Sequence, residues 1–450
     1  MLTITTDQAA SFNLTVEVRP AAVAYPRTAD EVAAAVTHAR ERGLRVAPQA
    51  TGHNVGAYGA LDDAMLVDVR HLQDVSIDPE AMRVRVGAGV KWERVTPVLS
   101  EHGLAGLHGS SPDVGIAGYS LGGGMGWLAR KHGLQANSVT ALEVVLADGR
   151  LVRCDAAHEP DLFWALRGGN GNFGVVTAIE FAVYPVEELY AGTLFFELER
   201  SADVLHTWAG MLGGLPEELM TWTSLMHFPP LPFVPEFAQG RSFAVVSGAF
   251  LGDEREGRRL LQPLRALGPV VDTYAMVPPA VLGDLAMDPP EPLPFQLGHR
   301  MLSAMPAEAI DAALAAAGPD ADHPIDMVQL RHMGGALARV APNAGAMAML
   351  PGEVCVVALA VTPEPAAVAP RAAISDLERA MAPWQTGPYP NFVEHPADAG
   401  AFFDAATWQR LREVKAAYDP DGVFRGNHAI PAAAPAPMAA RTASGAMSAD

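Results

Sequence analysis

Six of the twelve residues from Gly115 to Gly126 are glycine, in the stretch Ser110-Ser-Pro-Asp-Val-Gly-Ile-Ala-Gly-Tyr-Ser-Leu-Gly-Gly-Gly-Met-Gly126. Glycine at that density means backbone held against something large, or φ > 0 at several positions. It also leaves N–H groups free to donate to an anion or a flat polar ring. The segment has two companions. Residues 46–56, Val-Ala-Pro-Gln-Ala-Thr-Gly-His-Asn-Val-Gly, follow a predicted strand, and residues 168–174, Gly-Gly-Asn-Gly-Asn-Phe-Gly, precede another. Three such loops in one stretch of chain point to a single long, phosphate-bearing cofactor.

The surrounding pattern is mixed α/β from residue 20 to 187. A strand at 19–26 leads into a helix opened by Thr28, with Glu31 at capping-box spacing and Val32, Ala35, Val36 and Ala39 on its apolar face. Gly43 ends it. Strands are predicted at 44–48, 64–69 and 83–87, the last two alternating. Trp92–His102 reads as a helix, and Asp148-Gly149 as a hairpin turn after a strand at 140–146. From 188 to 395 the character changes. Prolines cluster at 229–235 and 289–294, and strand-like runs at 243–250 and 354–361 suggest an antiparallel sheet that covers the cofactor. A helix over Ala401–Tyr418 follows, then a closing loop. Residues 431–450, rich in Ala, Pro, Ser and Met, read as a disordered tail.

At 450 residues the chain should hold two or three domains. A net charge of −20 argues against nucleic acid as a partner. Cys154 and Cys355 are too few and too distant for a disulfide framework or a metal knot, and read as buried small residues. No signal peptide and no apolar run of about 20 residues is visible, so a cytoplasmic protein with no membrane partner is expected. His102, His108, His132, His332, His395 and His428 show no paired helical spacing, and no metal site is expected.

Two motif matches fail on context. Gly169, Gly171 and Gly174 satisfy Gly-x-Gly-x-x-Gly, but a helix (Asp161–Arg167) precedes them and a strand (Val175–Phe181) follows. A dinucleotide fingerprint needs the reverse order. Gly118-Tyr119-Ser120-Leu121-Gly122 has the letters of a nucleophile elbow without the strand before it.

Gly52-His53, the Ser111-Pro112-x-Val114-Gly115 to Gly126 segment, Asp161-Leu162-Phe163-Trp164-Ala165-Leu166-Arg167-Gly168-Gly169, Tyr389-x-Asn391-Phe392 and Tyr418-Asp419-Pro420-x-x-x-Phe424 occur in one order. Together they resemble the FAD-linked oxidases of the vanillyl-alcohol-oxidase superfamily, and within it the berberine-bridge-enzyme-like group, over about residues 15–430. The resemblance implies an α+β fold. A two-part PCMH-type FAD-binding domain (15–187, with 396–430 returning to it) would carry a substrate domain with an antiparallel sheet (188–395).

By resemblance His53 attaches FAD covalently through its imidazole. Ala50, Thr51, Asn54, Val55 and Gly56 would offer backbone N–H groups to the pyrophosphate. The family's second attachment is a cysteine where this chain has Ser111, so attachment should be single. Val114, Gly115 and Gly118 would run past the ring, with Val114 compatible with access of dioxygen. Gly52, Tyr119, Gly122, Gly123, Gly174, Val176 and Asn427 complete the expected cofactor contacts.

Tyr389 and Asn391 are the expected catalytic pair, the tyrosine taking the substrate proton through a lowered pKa or, in the competing reading, only packing beneath the ring. The implied reaction is hydride removal from a CH–OH, CH–NH or activated carbon of a small metabolite, with electrons passed to dioxygen. A dehydrogenase with another acceptor and a flavin-bound protein without turnover stand as alternatives. Met226-His227-Phe228-Pro229-Pro230 and Pro294-Phe295-Gln296-Leu297 lean away from a bare sugar as substrate.

Overall fold

The computed structural model describes residues 2–434 except 233, 290 and 363–366. Most of the expected tail, from residue 435 on, lies outside the described residues, and residues 431–434 carry no helix or strand.

The chain begins with two small sheets. In the first, strands Thr3–Thr5, Ala22–Tyr25, Ala64–Asp68 and Arg45–Gln49 lie in that spatial order. Ala64–Asp68 pairs in parallel on both sides. All five of its residues are buried, where alternation was expected. A central parallel strand is covered on both faces and so becomes apolar throughout. The helix Ala29–Glu41 packs Val32, Ala35, Val36 and Ala39 inward, and the Thr28 hydroxyl accepts the Glu31 N–H at 3.2 Å.

The second sheet orders Val75–Asp78, Arg83–Gly87, Val175–Ala182, Val139–Val145 and Leu151–Asp155, all antiparallel. The expected helix at 92–102 is broken into a 3₁₀ turn, Trp92–Arg94, and a helix, Thr96–Glu101. Pro97 supplies no N–H, which suits it to the first turn of a new helix and not to the middle of a continuous one.

Residues 189–387 build a nine-stranded sheet, antiparallel at every pairing. Helices Ser201–Met211, Ala307–Ala317 and Val368–Met381 seal one face of it. Trp208, Ile310, Ile374 and Leu377 pack there on Leu194, Val246, Leu330 and Val356. Because strand side chains alternate, the neighbouring residues Trp222, Gln329, Arg331 and Val357 point to the opposite face, towards the glycine loops.

The C-terminal helix runs Ala405–Tyr418, four residues shorter than expected. Asp404 caps it by accepting the N–H groups of Ala406 and Thr407 (2.9 and 3.0 Å), so 399–402 remains a 3₁₀ turn. The chain then rejoins the first sheet, Val46 donating to the Val423 carbonyl at 2.8 Å and Arg425 to the Val46 carbonyl at 2.9 Å. Buried Lys415 fixes this return. Its ammonium reaches Asp419, the Asn172 carbonyl and the Phe424 carbonyl at 2.6, 2.5 and 2.9 Å.

Candidate active site

Between the glycine loops and the open face of the large sheet lies a cavity of about 300 Å³. The first loop leaves strand Arg45–Gln49 and turns at Gly52 (φ +77°), where a Cβ would press on Ser11. The N–H groups of Thr51, Gly52, His53 and Asn54 have no acceptor among the described residues. Gln49 Oε1 and Asn54 Oδ1 are likewise buried without a partner. His53 is held on three sides. Its Nδ1 lies 2.8 Å from the Thr51 hydroxyl, its Nε2 lies 3.1 Å from Asp113 Oδ2, and its ring stacks on Phe12 at 3.9 Å. The Asp113 contact has ion-pair distance but not hydrogen-bond alignment, so it acts on His53 through charge and proximity.

The second loop lines the cavity with Ser111, Val114, Gly115, Gly118 and Tyr119. The Ser111 hydroxyl donates to the Asp288 carboxylate, a residue of the other half of the chain. Ala50, Val55 and Asn427 also line the cavity, and Asn427 Nδ2 donates to the Asn54 carbonyl at 2.6 Å.

Five expected cofactor contacts lie elsewhere, among them Gly56, where a Cβ would press on the Glu394 carbonyl. Gly122 and Gly123 stand behind the wall. A Cβ at Gly122 would overlap Asn391 Oδ1, and one at Gly123 would crowd Tyr389. Gly174 packs on Val144 and Val145, and Val176 is buried in the second sheet opposite Val144. Neither is among the cavity-lining residues.

Tyr389 and Asn391 do meet at the cavity. The Tyr389 oxygen accepts from the Gly124 N–H at 2.9 Å and from Asn391 Nδ2 at 3.0 Å, and Asn391 also donates to the Tyr119 carbonyl at 3.1 Å. The tyrosine backbone N–H donates to His299 Nε2 at 2.8 Å. Burial lowers that imidazole's pKa to about 3, which keeps it a neutral acceptor. The expectation of a lowered tyrosine pKa needs correction. Burial of the phenol raises it, and the two donors oppose burial without overcoming it.

Sequence reasoning missed Phe12, Asp113, Asn170, Asp288, Arg331 and Glu394. Asp113 stood within a segment already singled out. Arg331 puts a charge in a strand beside the apolar Val328 and Leu330, a usable signal. Glu394 follows the Tyr-x-Asn-Phe motif by two residues. It lines the cavity, accepts from Asn13 Nδ2 at 3.0 Å, and burial pushes its pKa up to about 8.

Ser120 sits within the helix Ile116–Leu121 and donates to the Ile116 carbonyl at 2.7 Å, so no nucleophile elbow forms. Both cysteines are buried and free. Among the described residues no cluster of three metal-ligating side chains occurs, and no helix is long and apolar enough to cross a membrane.

Residues 20–155 match the family described as FAD binding domain, and residues 397–431 match the family described as berberine and berberine like. The two matches thus fall at the two ends of the chain, on the segments that hold the His53 loop and the closing C-terminal loop. Xylooligosaccharide oxidase of Thermothelomyces thermophilus is 34% identical over 220 residues, covering 47% of this chain and 44% of the relative. (R)-6-hydroxynicotine oxidase of Paenarthrobacter nicotinovorans is 32% identical over 254 residues, covering 56% and 54%. The chain thus spans about half the length of the curated relatives it matches. The solved xylooligosaccharide oxidase from Myceliophthora thermophila C1, in complex with xylobiose, shares the fold with a TM-score of 0.79 at 24% identity, over 95% of each chain. The cavity fits FAD, the cofactor named in the description of the family matched at residues 20–155. Four adjacent unpaired N–H groups suit a pyrophosphate, and the partnerless Gln49 and Asn54 oxygens await donors such as ribityl hydroxyls.

Proposed function

We propose that the protein is an FAD-dependent oxidase that takes a hydride from a CH–OH, CH–NH or activated carbon of a small metabolite, with FAD held covalently through His53. The observation that carries this reading is the convergence of the Tyr389–Asn391 pair and the His53 loop on one cavity. Bound FAD supplies a two-electron acceptor for the substrate's hydride.

The chain's own residues do the rest. Residues 15–187 and 396–430 hold the cofactor, and 188–395 roof the substrate. Thr51 and Asp113 set the direction of the His53 ring. Ser111 cannot form a thioether, so one attachment results. Tyr389 Oη takes the substrate proton as the phenolate, which must first lose its own proton to solvent, and becomes the phenol. Its two donors, Gly124 N–H and Asn391 Nδ2, stabilise that phenolate before the transfer and oppose the burial that disfavours it. Val114 borders the path for dioxygen.

A second reading of the base follows from Glu394, whose pKa of about 8 poises a cavity carboxyl for proton transfer near neutral pH.

The test is the visible spectrum of the purified protein, then anaerobic reduction with a panel of alcohols and amines and peroxide assay on readmission of air. Flavin bands, bleaching and stoichiometric peroxide are expected. A colourless protein that takes up no added FAD overturns the proposal. Bleaching without peroxide moves it to a dehydrogenase.

A further inference from the structure

The roof of the cavity carries an unpaired cation. Strand Met327–His332 sends Met327, Gln329 and Arg331 to the cavity face, while Val328 and Leu330 pack into the core behind. Among the described residues, Arg331 is the only lysine or arginine lining the cavity. It is 6% exposed, and its guanidinium lies over the Trp222 ring at 4.0 Å and the Phe392 ring at 5.1 Å. Its Nε donates to Gln329 Oε1 at 2.6 Å, and Gln329 Nε2 in turn donates to the Ser224 hydroxyl at 3.2 Å. That ladder fixes the plane of the guanidinium. Its two terminal nitrogens have no acceptor among the described residues.

A buried guanidinium stays charged, and leaving it without an anion is costly. Aromatic faces offset part of that cost but leave its outer N–H groups open. Neither cavity carboxyl pairs directly with Arg331. The Asp288 charge acts on it only at a distance, while that carboxylate accepts from Ser111, and Glu394 accepts from Asn13. The cofactor's phosphates are expected elsewhere, at the Thr51–Asn54 loop. Arg331 instead shares Phe392 with Tyr389, whose ring lies 5.1 Å from it, at the reactive end of the cavity. The surrounding roof is apolar, with Met327, Val357, Leu359, Leu297 and Phe295.

We propose that Arg331 binds a carboxylate on the substrate through its outer N–H groups, so that the site takes an organic acid with an apolar body. Planar, two-pronged donors match a carboxylate in geometry as well as charge. The inference deepens the oxidase reading and rests on it.

The experiment titrates benzoate, phenylacetate and 3-phenylpropionate, each against its amide, into the FAD-loaded protein and follows the perturbation of the visible flavin spectrum. At least one acid is expected to bind about tenfold or more tightly than its amide. Arg331→Met removes that preference and leaves FAD content unchanged. Arg331→Lys, which keeps the charge without the fork, retains part of it. Acids and amides that bind alike, no acid that binds, or a preference that survives Arg331→Met overturns the proposal, as does loss of FAD from Arg331→Met, which would give the arginine to the cofactor. Should Arg331→Met not fold, the wild-type contrast and Arg331→Lys decide. A wild-type protein that takes up no FAD breaks the oxidase reading separately, and the same acid–amide pairs are then compared by thermal shift.

Discussion

The floor and the roof of the cavity are built on different principles. The floor is backbone, made of consecutive residues in the His53 loop and the Ser111–Gly118 loop that present N–H groups and bare Cα atoms. The roof is side chain, made of alternate residues from strands far apart in sequence, brought into register by the nine-stranded sheet. A floor of that kind suits one cofactor shape shared by many proteins. A roof of that kind can change its chemistry one side chain at a time, which places specificity there.

The comparison breaks most sharply at His53. His53→Ala should abolish covalent flavin completely, read as loss of flavin fluorescence from the denatured band, while the roof and its ligand preference stay intact. Retained fluorescence would move attachment elsewhere.

Tyr389 belongs to both surfaces, since its oxygen takes one donor from the glycine segment and one from its own loop. Tyr389→Phe keeps the ring and removes the hydroxyl. Anaerobic flavin reduction by substrate should slow by about 10²–10⁴, the usual worth of a positioned base, with reoxidation by dioxygen unchanged. Wild-type reduction rates across pH would reduce the tyrosine to packing and pass the role to Glu394.

The difference in construction also explains what could be read in advance. Gly52, His53 and Ser111–Gly118 were legible because loop chemistry is local and written in consecutive letters. So was the helix cap at Thr28. The antiparallel sheet was legible as a class, but its register was not, and without register nothing says that Arg331 faces Trp222 rather than the core. Gly122 and Gly123 were read as cofactor contacts because glycine marks close approach without saying to what. Here the approaching groups are Asn391 and Tyr389. The lowered tyrosine pKa failed for a similar reason, since burial is a tertiary quantity.

Glu394 sharpens the comparison through pH. Its folded pKa of about 8 lies above the ordinary 4.5. Below pH 4.5 both folded and unfolded states hold the proton. As pH rises from 4.5 to 8 the unfolded chain releases it and the folded chain does not, so stability falls across that window. The loss should reach roughly 2 kcal/mol, allowing for solvent in the cavity, and Glu394→Gln should flatten it. Urea midpoints at pH 5 and pH 8 check this. An unchanged slope in the variant would show that the carboxyl ionises freely.

The smallest effect tests the most legible element. Thr28→Ala removes the cap on helix Ala29–Glu41 and should cost about 1 kcal/mol, seen as a lower thermal midpoint with flavin content unchanged. A loss of flavin would tie that helix to the floor more closely than its position suggests.

The central claim is that the His53 loop and the cavity above it hold one covalent FAD. Mass spectrometry of the acid-denatured, proteolysed protein tests it most directly. The expected result is a single FAD adduct on the peptide carrying His53, with the peptide carrying Ser111 unmodified. An unmodified His53 peptide from a protein that is yellow before denaturation would contradict the attachment, and a protein that carries no flavin at all would contradict the account.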